Sequence, residues 1–150
     1  MHDSRMSGVW RACVELDLPI ITHVEPSKSG EQYATPEAFT PVMEAFPELR
    51  IVMAHMGGGS WRQLPAFSEA HPNTYYDICE IIEWTGASRA PTDLDLVKLI
   101  IKVGPKKVMM GSDFPRYSSL HTVERLHELP LLTGEQKSLI LGGNALEFLT

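Results

Sequence analysis

The chain has 150 residues, 43% hydrophobic and 21% charged, with 13 basic against 19 acidic side chains and a formal charge of −6. These values describe one globular domain, residues 1–150, and exclude the clustered Lys/Arg surface that nucleic acid or an anionic membrane requires. No apolar run approaches the roughly 18 residues of a membrane span. Asp3, Arg5, Arg11, Glu15 and Asp17 occupy the stretch where a signal peptide needs an uncharged core, so a cytoplasmic protein is expected. Cys13 and Cys79 lie far apart and outside any CxxC, which reads as two reduced, buried thiols.

Met6, Val9, Trp10, Cys13 and Leu16 follow helical spacing and predict a helix over residues 4–17, closed by Leu18-Pro19. Residues 20–24 are β-branched and too apolar on both faces for a surface strand, so they read as a buried parallel strand with His23 at its C-terminal end. After a polar loop over residues 25–34, Thr35 and Pro36 open a helix that shows Phe39, Val42, Met43 and Phe46 on one face. The cycle repeats with a strand over residues 51–54 ending at His55, a tight Gly57-Gly58-Gly59 loop, and a helix capped by Ser60 and running to about residue 70. A third strand covers residues 74–78, and Leu94, Val97, Ile100 and Ile101 mark the next helix, begun near Thr92 and stopped by Gly104-Pro105. A fourth strand covers residues 107–110 and leads into Gly111-Ser112-Asp113-Phe114-Pro115. Leu120, Val123 and Leu126 form another helical stripe, Thr133 and Gln136 fit a capping box, and Asn144 is placed to cap a last short turn.

Strands alternating with helices imply consecutive βα units, a parallel sheet and right-handed crossovers. On such a sheet ligand-binding residues gather at the C-terminal strand ends. Three of the four strands lead there into a residue suited to metal or proton chemistry: His23, His55 and Asp113. Imidazole and carboxylate are the donors that hold zinc or a similar divalent ion and leave a position open.

The segments at residues 18–23, 48–58 (with Ala54-His55-Met56-Gly57-Gly58), 73–77, 108–115 (with Gly111-Ser112-Asp113-Phe114-Pro115) and 143–145 resemble, in order and spacing, the amidohydrolase-related family of metal-dependent (β/α)8-barrel enzymes. They are similar to the branch that contains aminocarboxymuconate-semialdehyde-decarboxylase-like enzymes. The resemblance implies a partial TIM barrel: four βα units matching strands five to eight, plus a C-terminal helix. It further implies that His23 and Asp113 bind a divalent metal, zinc or alternatively manganese, and that His55 and Asp113 move protons while the metal acts as a Lewis acid. Hydrolysis and non-oxidative decarboxylation both occur in the family. The His-x-His pair of the family's first strand has no counterpart here, and about 150 residues stand where such a barrel uses roughly 250. His2 falls where it would have to substitute as a ligand.

Gly57-Gly58-Gly59-Ser60 suits a substrate carboxylate or phosphate at a helix N-terminus and equally suits a tight turn. Arg116 is a candidate partner for a substrate carboxylate, against the alternative of a solvated loop residue. Tyr75, Tyr76, Glu80 and Trp84 line a pocket or serve packing. His71, His121 and His127 read as surface residues, and Lys106-Lys107 as a solvated pair. The function expected is a metal-dependent hydrolase or decarboxylase acting on a small carboxylate, amide or ester. The alternatives are a non-catalytic fragment and a subunit that completes its barrel with another copy or with an N-terminal half.

Overall fold

The computed structural model of the chain describes residues 4–27 and 29–150. Four strands, β1 (Ile20–Thr22), β2 (Ile51–Met53), β3 (Thr74–Asp77) and β4 (Val108–Met109), form one sheet in the order β1-β2-β3-β4, with every neighbouring pair parallel. Ile20, Ile51 and Thr74 lie in register at one end; Met53, Tyr76 and Val108 lie in register nearer the other. This is the α/β architecture of consecutive βα units that the sequence predicts. The first three strands start where expected, all four end one or two residues early, and β4 also starts one residue late. Lys107 belongs to a 3-10 turn (Pro105–Lys107), and the Met110 amide donates to the Ile140 carbonyl rather than to a strand.

Side-chain alternation divides the sheet between two faces. Ile20, Ile51, Met53, Tyr76 and Val108 join the main core beneath the helices. Val52, Tyr75 and Met109 belong to a second, inner cluster with Ala145 and Phe148. Tyr75 and Phe148 stack with ring centroids 4.7 Å apart, and Arg50 donates through Nη1 to the Phe148 carbonyl at 2.7 Å.

The helices are α1 (Ser7–Glu15), α2 (Thr40–Ala45), α3 (Leu64–Ala70), α4 (Asp93–Val103), α5 (Ser119–Glu128), α6 (Gly134–Ser138) and α7 (Asn144–Leu149). In α1 the apolar period is present in a shifted phase: Trp10 is buried, Met6, Cys13 and Val14 are partly buried, and Val9 and Leu16 face out. Cys13 is therefore half-buried and Cys79 buried, both as free thiols. In α5 the inward residues are Thr122 and Leu126, while Leu120 is exposed.

The expected capping box of Thr133 with Gln136 forms, and a second one, Thr92 with Asp95, opens α4; each satisfies two amides that a helix start leaves orphaned. Three expected caps do not form, at Thr35, Asn144 and Ser60. Thr35 makes no cap bond, and the chain enters α2 through a 3-10 turn at Pro36–Phe39. Asn144 caps nothing, because the helical path runs from α6 through a π turn (Leu139–Gly143) straight into α7. It is buried instead, donating to the carbonyls of Pro105 at 2.8 Å and Val108 at 2.6 Å, which ties α7 to the start of β4.

Candidate metal centre

His23, His55 and Asp113 follow β1, β2 and β4 at the C-terminal end of the sheet. The first two meet: His23 Nδ1 lies 3.0 Å from His55 Nε2, with the rings edge-to-face at 72°. The other ring nitrogen of His55, Nδ1, lies 3.3 Å from the Cys79 carbonyl oxygen. A carbonyl only accepts, so this contact places the proton on Nδ1 and leaves Nε2 as the acceptor facing His23.

The backbone at this end is held in conformations that L-residues avoid. His55, Glu80 and Asp113, one in each loop after β2, β3 and β4, have φ of 64°, 61° and 58°. Such strain persists only where surrounding bonds over-determine it. At His55 those bonds come from Asp77, the last residue of β3. Its Oδ1 accepts from the His55 amide at 2.9 Å, the Cys79 amide at 3.1 Å and the Cys79 thiol at 2.7 Å. Burial pushes the Asp77 carboxyl above the ordinary carboxylate range, and burial beside Asp77 pushes the Cys79 thiol up as well.

Among the described residues two sets of side chains offer donor atoms all within 4.8 Å of one another: His23, Glu25 and His55, and His55, Asp77 and Cys79. The chemistry of the two differs. In the second set Oδ1 of Asp77 already accepts three hydrogen bonds and the thiol is held protonated, so its donors are engaged. In the first, Glu25 Oε2 is buried with no hydrogen-bond partner among the described residues, the condition of a carboxylate oxygen available to a cation.

Asp113 belongs to neither set. It lies exposed at the same mouth, where its charge helps to raise the pKa of Cys79 and Glu80. Arg116 is engaged inside the chain: Nη1 lies 2.6 Å from Oε1 of Glu80, a side chain only 2% exposed, and the guanidinium stands 5.9 Å from the Trp84 ring and 5.6 Å from that of Tyr117. Burial raises the Glu80 pKa, and His55 and Arg116 oppose that shift.

Gly57 and Gly58 do not open an α-helix. Residues 55–58 all have positive φ, Ser60 makes no cap bond, and α3 starts only at Leu64. What the glycines provide is close approach: a Cβ on Gly58 would stand 2.5 Å from Cβ of Glu25, and one on Gly57 3.1 Å from Pro36. Tyr76 is core and Tyr75 packs on Phe148. His127 is exposed as expected, while His71 is half-buried against Phe67 and exposed His121 pairs with Glu83 at 3.1 Å. His2 and Asp3 lie outside the described residues.

The sequence pattern missed Glu25 and Asp77. Glu25 follows His23 by two residues, a same-side spacing in extended chain, and Asp77 ends its strand much as His55 and Asp113 follow theirs. Both signals were present.

Among the described residues no helix is long and apolar enough to cross a membrane. Over 122 residues the chain is 30% identical to 2-amino-3-carboxymuconate-6-semialdehyde decarboxylase of Dictyostelium discoideum, an alignment that covers 74% of this chain and 34% of that protein. An uncharacterized TIM-barrel protein of Bordetella bronchiseptica superimposes with a TM-score of 0.82 at 22% identity, over 99% of this chain and 52% of its own. Dihydroxybenzoic acid decarboxylase of Polaromonas, solved with bound manganese, gives a TM-score of 0.69 at 15% identity, over 97% of this chain and 54% of its own. The chain thus has the fold of part of a TIM barrel and spans about half the length of these solved structures. The family model described as Amidohydrolase matches residues 2–150, and the chain belongs to that family.

Proposed function

We propose that the chain supplies the strand-five-to-eight half of a metal-dependent amidohydrolase barrel, acting as a hydrolase or non-oxidative decarboxylase on a small carboxylate, amide or ester substrate. The observation that carries the reading is the 3.0 Å approach of His23 and His55 at the mouth where Asp113 also lies. His23 and Asp113 would hold a zinc or manganese ion, which when bound supplies Lewis acidity and a fixed positive charge.

The rest of the chemistry falls to the chain's own groups. His55 receives or delivers a proton at Nε2, since the Cys79 carbonyl keeps the other proton on Nδ1. Asp77 keeps the ring in place by holding the His55 amide. Asp113 offers a second, solvent-accessible carboxylate for proton movement. A substrate carboxylate reaching Arg116 would compete with Glu80 for the guanidinium, so Arg116 would serve the substrate only by exchanging partners. Gly57 and Gly58 contribute by packing the loop closed rather than as an anion cradle. The free thiols Cys13 and Cys79 suit a reducing compartment, and the cytoplasm is the location we propose.

The second reading, a non-catalytic piece or a subunit that needs another copy or an N-terminal half, draws on β1 and β4 being the edges of the sheet and on Ile21 being 73% exposed. One assay separates a catalytic half, self-sufficient or completed by a partner, from a non-catalytic piece. Aryl esters, lactones and aromatic carboxylates are offered with Zn²⁺ or Mn²⁺, first to the chain alone and then with the first half of a related barrel added. Metal-dependent turnover with the added half, lost in His55→Ala, is the expected result. Silence in both settings would favour the non-catalytic reading.

A further inference from the structure

We propose that Glu25 is a metal ligand in this chain, forming with His23 and His55 a three-donor site for a zinc-class divalent cation. The inference rests on the reading above, that a cation sits at this mouth, and adds a carboxylate from the loop after β1. One oxygen of Glu25 and one ring nitrogen from each histidine all lie within 4.8 Å of one another. Ligands around tetrahedral zinc, at bond lengths near 2.0–2.2 Å, stand about 3.3 Å apart. The 3.0 Å between His23 Nδ1 and His55 Nε2 is thus close to the spacing of two ligands on one ion, and a small spread admits it.

Three further observations point the same way. Glu25 Oε2 is buried and accepts no hydrogen bond among the described residues, a costly arrangement for an ionised carboxylate unless a positive group meets it. Packing keeps Glu25 in place: Val24 before it is fully buried, Gly58 lacks the Cβ that would collide with it, and Pro26 after it lies against Gly59. Finally, negative charge accumulates. Buried Glu80 stands 3.6 Å from His55 Nδ1, Glu25 supplies one of the three donors, and Asp113 lies exposed at the same mouth, while Arg116 meets Glu80 at 2.6 Å. A divalent ion is the economical counter-charge for such a mouth. Two imidazoles and one carboxylate form a donor set suited to zinc or manganese, with a fourth position open. With the ion bound in this way Nε2 of His55 is a ligand, in line with the proton on Nδ1, and proton movement falls to the exposed carboxylate of Asp113.

The experiment is zinc binding by the full chain, measured by equilibrium dialysis with metal analysis and by the visible spectrum of the Co²⁺ form. Wild type is expected to hold one ion per chain. Glu25→Gln, nearly isosteric, should weaken binding at least about tenfold, since even groups that only support a ligand cost that much. Glu31→Gln removes the same charge from the same loop and should leave affinity unchanged. Glu25→Asp, with the carboxylate on a shorter arm, should weaken zinc and shift the Co²⁺ bands; it takes over if Glu25→Gln fails to fold. Wild-type affinity in both Glu25 variants, with binding lost in His23→Ala or Asp113→Asn, would overturn the role of Glu25 and leave the metal reading standing. A wild-type chain that binds no zinc would overturn both.

Discussion

Gly58 and Glu25 are packed so closely that a methyl group on the glycine would collide, its Cβ falling 2.5 Å from Cβ of the glutamate. The glycine also has φ 50° and ψ −127°, a region closed to side chains. Gly58→Ala therefore meets two penalties at once, backbone strain and displacement of Glu25. We expect it to destabilise the chain by about 1–3 kcal/mol, read from urea melts. It should also weaken zinc binding in the folded fraction by more than Gly59→Ala, whose added Cβ would meet only the edge of Pro26 at 3.1 Å.

Asp77 collects three donors on one oxygen, two of them backbone amides with no freedom to turn elsewhere. Asp77→Ala leaves those amides buried and unpaired, which should cost about 2–4 kcal/mol. Asp77→Asn keeps an acceptor oxygen in the same place and should cost clearly less. Denaturant unfolding of the two variants decides it: equal losses would mean that the hydrogen bonds to the His55 loop contribute little.

Much of this arrangement could be read from the sequence, and the parts that could not have specific physical reasons. The alternation of strands and helices was legible because strands such as Ile51-Val52-Met53 show as apolar runs between helical stripes, but the same pattern misread β1 as buried, where Ile21 is 73% exposed on the open inner face. His23 and His55 were legible because strand ends are where such sheets bind ligands. Glu25 was masked by its company, one polar residue in a polar loop: its spacing puts it on the same side of the chain as His23, but only the third dimension sets it beside His55 as well. Asp77 was hidden because alternation placed the strand end one residue later, at Ile78. The start of α3 was misplaced because Gly57-Gly58-Gly59-Ser60 has the composition of a turn followed by a cap. The chain instead uses residues 55–58 for a left-handed run, and that choice depends on Asp77, which the local sequence does not contain.

The first turn of α4 gives a pH test away from the candidate metal centre. Hydrogen bonds from the Thr92 side chain and amide hold the Asp95 carboxyl below its usual range. A depressed carboxylate adds stability that is present above the ordinary carboxylate pKa near 4 and is lost as pH falls through the lower folded value. Asp95→Asn should therefore narrow its gap from wild type as pH falls below about 4, the ordinary carboxylate pKa. Thr92→Ala should cost about 1 kcal/mol at neutral pH by removing the cap. A gap for Asp95→Asn that does not change between neutral and acid pH would show that the box adds no ionic stabilisation.

Phe148 offers the last test, because it connects the C-terminal helix to the inner face of the sheet. It is buried among Val52, Met109, Tyr75 and Ala145, with the Arg50 guanidinium 5.6 Å from its ring centroid and donating to its carbonyl. This cluster is separate from the main core and small, so little else is available to fill a void there. Phe148→Ala should cost about 3–5 kcal/mol, as large core truncations do. Phe148→Leu keeps most of the volume but loses the stacking on Tyr75 and on Arg50, and should cost roughly 1–2 kcal/mol. The inner face would then be more open in the alanine variant, with Ile21 already exposed along the same groove, so that variant should also self-associate more readily in sedimentation. If Phe148→Ala melts like wild type and sediments identically, α7 does not seal the inner face and the second cluster contributes nothing to holding the half-barrel together.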